Sequence, residues 1–79
     1  MILTDLKKGE KAIITQVDES LLPMKLFELG CVPENTIEVL EIAPLGDPIY
    51  IKIDTSYLSI RKEMARYIYV EKLDTNATS

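Results

Sequence analysis

The chain has 79 residues, 9 basic against 13 acidic, for a net charge of −4, with one cysteine and no histidine. That length holds one domain, because separate cores need about 50 residues or more each, and so short a chain buries only about 60% of its unfolded surface. The composition excludes an intramolecular disulfide, a cysteine–histidine zinc site and every catalytic pairing built on imidazole. The acidic balance also argues against nucleic acid, which needs cations gathered into a stripe; the nine here, from Lys7 to Lys72, are scattered among acids. No basic-then-apolar leader opens the chain, and no apolar run approaches the ~20 residues that span a bilayer. A cytoplasmic protein with no membrane insertion of its own is expected.

The first predicted element is a strand over residues 11–18, where Ile13, Thr15 and Val17 alternate with Ala12, Ile14 and Gln16. A helix is predicted over residues 21–29, with Ser20 as N-cap, Pro23 in the first turn and Gly30 ending it. Leu22, Leu26 and Leu29 form its apolar stripe, while Met24 and Phe27 project from the other side. A second strand, residues 36–43, follows the turn at Pro33-Glu34-Asn35. Its apolar residues change face between Val39 and Leu40, which predicts a bulge or a sharp bend in the strand. Pro44-Leu45-Gly46-Asp47-Pro48 is a dense loop signal.

The third strand, residues 49–54, alternates with Ile49, Ile51 and Ile53 on one face. A short fourth strand covers residues 57–60, a single helical turn residues 61–65, and a fifth strand residues 67–71 with Ile68 and Val70 inward. Residues 1–73 are read as one domain and the polar residues 74–79 as a disordered tail. The fold class is all-β: five short strands closing into a small barrel, with one short helix between strands 1 and 2.

Nothing in this pattern builds an active site, so the chain is read as no enzyme. Its three glycines are isolated, which rules out a Gly-rich phosphate cradle, and its carboxylate pairs lack a feature that would raise a pKa. Cys31, just after Gly30, is read as a small apolar core residue, since one soft ligand makes a poor metal site. No metal, cofactor or catalytic residue is assigned. Tyr50, Tyr67 and Tyr69 are read mainly as cross-strand packing.

Three segments resemble a known family in order and spacing: Lys25-Leu26-Phe27-Glu28-Leu29-Gly30-Cys31-Val32-Pro33, Ala43-Pro44-Leu45-Gly46-Asp47-Pro48, and Leu58-Ser59-Ile60-Arg61-Lys62-Glu63-Met64-Ala65. Together they are similar to the FeoA family of ferrous iron transport proteins, which implies an SH3-like β-barrel. The chain departs from that pattern at Lys25 (usually arginine), Glu34 (glycine), the glycine-free Asp54-Thr55-Ser56, and Met64 (glutamate). The Glu34 change implies a rebuilt turn, because glycine tolerates φ > 0 there.

What the resemblance implies is a cytosolic accessory of bacterial ferrous iron uptake, peripheral to the inner membrane. It would bind and modulate a FeoB-type transporter, through the transporter's GTPase region or membrane domain, without carrying iron. A weak homo-oligomer is left open. The alternative is the SH3-like carboxyl-terminal domain of an iron-dependent transcriptional repressor, acting by protein contact; an RNA-binding small barrel is a third reading. The expected partner surface joins Met24 and Phe27 on the helix to the loop Pro44, Leu45, Gly46, Asp47 and Pro48, where an apolar anchor meets a stiff backbone.

Overall fold

The computed structural model describes residues 1–73; the tail expected at 74–79 lies outside the described residues. Five strands, β1 (Lys11–Val17), β2 (Thr36–Ile42), β3 (Ile49–Ile53), β4 (Ser56–Ile60) and β5 (Ile68–Lys72), form one antiparallel sheet in the order β4-β3-β2-β1-β5. Helix α1 (Met24–Glu28) links β1 to β2, and the one-turn helix α2 (Lys62–Ala65) links β4 to β5. The strand expectations hold to within one or two residues at each end.

The sheet alternates as period two requires. Ile49, Ile51 and Ile53 are buried, and so are Ile14, Ile37, Val39, Ile60, Ile68 and Val70 from the other strands. No polar or charged residue is buried among the described residues, so this core carries no desolvation cost. The predicted bulge is present: the β2–β3 register shifts between Val39 and Glu41, leaving Leu40 as the extra residue. A second bulge, with no sequence signal, sits between Ile14 and Gln16 on β1 against β5. Each bulge sharpens the local bend, which lets so short a sheet curl around one core.

Strands β4 and β5 end the sheet and are not hydrogen-bonded to each other. A 3₁₀ turn at Leu3–Asp5, which sequence reading does not separate as an element, packs against α2 and β5 and buries Leu3, with Leu6 just beyond. The same segment lies along β5: the Val70 N–H donates to the Met1 carbonyl at 2.9 Å, and Ile2 bridges Tyr69. Farther along, Glu10 accepts the Lys7 N–H and pairs with Lys72. The Lys72 contact is the main cause holding the Glu10 carboxyl below its ordinary pKa.

The helix starts later than expected. Pro23, at φ −62° and ψ 142°, is its N-cap, and Ser20 instead bonds the Asp18 carboxylate at 2.8 Å. The cause is Pro23 itself, whose ring disfavours helical geometry at Leu22. Leu22 and Leu26 are buried as expected, but Leu29 is only half-buried, because the helix ends at Glu28 and Leu29 already forms the C-cap. Cys31 takes the third core position and is fully buried.

Candidate partner-binding site

The loop at residues 43–48 is built from bonds within itself and to α2. The Gly46 N–H donates to the Ala43 carbonyl at 2.7 Å, closing a β-turn with Pro44 at its second position, where the ring presets φ. The Ala43 N–H then donates to the Pro48 carbonyl at 3.1 Å. Gly46, at φ 87°, takes the left-handed geometry that side chains resist. The Asp47–Pro48 peptide is cis. Asp47 Oδ1 accepts the Lys62 N–H at 3.0 Å, so the loop caps the first turn of α2.

With its backbone held at both ends, the loop leaves Leu45 at its tip 95% exposed. No other large apolar residue that is described stands so far out of the fold; Met24 is next at 73%. An apolar side chain held in water by a stiff backbone suits docking, since little order is lost on binding.

The two halves of the expected partner surface behave differently. Met24 is exposed, but Phe27 is half-buried and packs against the core, so it is not the exposed anchor its helical position suggested. Gly30 shows where α1 sits. A Cβ there would lie 3.4 Å from Ile53 Cγ2 and 3.6 Å from Asp54 Cβ, at the end of β3 away from the 43–48 loop. The end of α1 and the loop are therefore anchored at opposite ends of β3.

The rest of α1 is spent on fastening. The Cys31 N–H donates to the Leu26 carbonyl at 2.9 Å and the Gly30 N–H to the Phe27 carbonyl at 3.1 Å, a Schellman motif with Gly30 at φ 106°. Asn35 Nδ2 donates to the Gly30 carbonyl at 2.7 Å. Burial pushes the Cys31 thiol up to about 11, so at neutral pH it is an inert apolar group.

Two depressions open on the surface of the described residues. One, of about 370 Å³, is lined by Lys11, Glu34, Asn35, Thr36, Glu38, Lys52 and Asp54. Lys11 lies opposite Glu38 and Glu38 opposite Lys52, so its charges alternate across three strands and answer one another. The other, of about 430 Å³, lies beside the loop between Thr4, Asp47, Lys62, Glu63 and Arg66. Among the described residues, no three of the Asp, Glu and Cys side chains are placed to hold a metal ion, and no helix is long and apolar enough to cross a membrane.

Fold and site together define a small all-β module that presents an apolar-tipped loop. The FeoA domain model matches residues 1–72, and the chain belongs to the FeoA family. Over its whole length it is 39% identical to the Fe(2+) transport protein A/Fe(2+) transporter FeoB fusion protein of Porphyromonas gingivalis, spanning about 10% of that protein. The solution structure of the FeoA protein from Chlorobium tepidum superposes with a TM-score of 0.85 at 37% identity, over 94% of this chain and 71% of that one. A zinc complex of Stenotrophomonas maltophilia FeoA, described as a procaryotic SH3 domain protein, matches at TM-score 0.78 and 21% identity, over 90% of this chain and 89% of that one. That last likeness concerns the fold alone, and it agrees with the expected SH3-like class.

Proposed function

We propose that this chain is an accessory protein of ferrous iron uptake that docks on a FeoB-type membrane transporter and tunes it. The observation that carries this reading is the full-length similarity to one segment of a protein in which transport protein A and FeoB are a single chain. Fusion sets a high effective concentration, roughly millimolar for a short linker. A tether only raises the local concentration; the contact itself still needs a docking surface. The loop of Pro44, Leu45, Gly46, Asp47 and Pro48 supplies it, with Leu45 as the anchor. Met24 is a second apolar point toward the other end of β3, and Phe27 supports α1 from inside.

The reading is tested with membranes that contain a FeoB-type transporter, captured on the immobilised chain. Wild type should retain the transporter. Leu45→Ser should keep its thermal midpoint within roughly 4 °C, as surface changes do, yet bind about thirtyfold more weakly, the loss of a ~2 kcal/mol anchor. If wild type retains no transporter, the function is wrong. If Leu45→Ser binds as well as wild type, the function stands and the contact lies elsewhere.

A further inference from the structure

The two outer strands of the sheet are protected unequally. Asp54 donates its N–H to the Thr36 carbonyl on β2, so the alternate residues Ile53, Ile51 and Ile49 turn their backbone groups toward β4. Their partners Ser56, Leu58 and Ile60 are thereby satisfied. Tyr57 and Ser59 point the other way, and among the described residues no hydrogen bond reaches their N–H or C=O groups. On β5 the corresponding edge is already occupied near its middle by Met1 and Ile2.

Natural sheets blunt an open edge with lysine, proline, a bulge or an inward charge. Strand β4 reads Ser-Tyr-Leu-Ser-Ile, without charge or proline, and its register with β3 is unbroken. Its apolar content is half-used: Leu58 is half-buried against the core and Tyr57 is 59% exposed. This is an edge left able to pair.

We propose that two copies of the chain join through antiparallel β4–β4 pairing centred on Leu58, about a two-fold axis. In that register Tyr57 of each copy faces Ser59 of the other, and their free N–H and C=O groups satisfy one another. Leu58 meets Leu58 of the second copy at the close, non-hydrogen-bonded position, where side chains approach most nearly. Charge selects the direction. Asp54 lies before the strand, and Arg61 and Lys62 follow it, so antiparallel pairing sets acid beside base at both ends whereas parallel pairing sets like beside like. The covered β5 edge blocks the head-to-tail alternative, β4 of one copy on β5 of the next, which would build a ring or filament. The assembly therefore closes at two.

One short strand from each side buries far less than a permanent interface, so the dimer is a weak one, with Kd about 0.1–1 mM. Sedimentation across that range should show reversible dimerisation, weakening about two- to fivefold in high salt as the end charges are screened. Amide exchange should protect Tyr57 and Ser59 only at high concentration, with Leu58 and Ile60 protected throughout. Ser59→Pro removes an outward N–H that the fold does not use and should abolish association; Ser59→Lys, an edge gatekeeper, gives the same readout should the proline variant fail to fold. The proposal is overturned by a monomer at about 1 mM, by a dimer that survives both variants, or by Tyr57 and Ser59 amides that gain protection only from another protein.

Discussion

Two segments of this molecule carry exposed-looking apolar residues on short pieces of chain, and the fold uses them in opposite ways. In α1 the backbone is fastened through its side chains: Leu26 and Phe27 pack on the core, and Cys31 sits buried behind the Schellman turn. In the 43–48 loop the backbone is fastened by its own hydrogen bonds and by Asp47 on α2, which leaves Leu45 without a structural duty. Apolar composition alone does not separate a plug from an anchor. What separates them is whether the local backbone has another means of holding its shape.

The sharpest way to break that contrast is to remove apolar side chains from α1 and set their cost beside the small one expected for Leu45→Ser in the loop. Leu26→Ala should cost about 2–5 kcal/mol, because it empties a core position, and in so small a domain that is a large share of the whole stability. Denaturant unfolding measures it, and a loss below about 1 kcal/mol would mean α1 is dispensable to the core. Phe27→Ser should fall in between, at about 1.5–3 kcal/mol, since roughly half of an aromatic burial is lost. An unchanged midpoint for Phe27→Ser would return Phe27 to the partner surface, beside Met24.

A third substitution acts on the loop without touching its apolar tip. Asp47→Ala removes the acceptor for the Lys62 N–H and should cost about 1 kcal/mol, as the loss of a helix cap does. It should weaken transporter capture by more than that stability change explains, because the loop must then be ordered on binding. Asp47→Asn keeps an oxygen acceptor and should restore most of both. Capture by Asp47→Ala equal to wild type would show that the stiffness of the loop is irrelevant to docking.

Much of the fold was legible because its signals are local. Alternation in Ile49, Ile51 and Ile53 gave β3 its inward face, and the change of face after Val39 gave the bulge at Leu40. The bulge on β1 was hidden, since Ile13 and Ile14 are apolar on both faces and leave no break in the pattern. The expected α1 runs too long because Ser20 matches a cap, whereas Pro23 disfavours helix at the residue before it. At the site, loop chemistry placed the turn correctly. The unequal exposure of Phe27 and Leu45 depends on contacts between segments far apart in sequence, which no window along the chain contains.

The smallest effect is also of opposite sign, and it concerns the turn that ties α1 to the sheet. The Asn35 N–H reaches the Val32 carbonyl at 3.3 Å across Pro33 and Glu34, and Glu34 sits at φ 80°. Proline followed by a residue with positive φ is a type II turn, which glycine suits best at its third position. The expectation that glutamate would force this turn to be rebuilt is therefore corrected: the turn is kept, and Glu34 bears left-handed geometry. Two bonds hold it there, the Glu34 N–H to the Ile14 carbonyl at 2.7 Å and the Ile14 N–H to the Asn35 carbonyl at 2.9 Å. Releasing the side-chain clash is worth about 1–2 kcal/mol, while the freer unfolded chain of a glycine variant takes back about 0.4–1. Glu34→Gly should thus gain about 0.5–1 kcal/mol and raise the thermal midpoint by a few degrees. Transporter capture should not change, because the turn belongs to the fastening of α1 and not to the loop proposed to dock. A lower midpoint would mean that the glutamate side chain contributes more at the depression it shares with Lys11 and Lys52 than its backbone geometry costs.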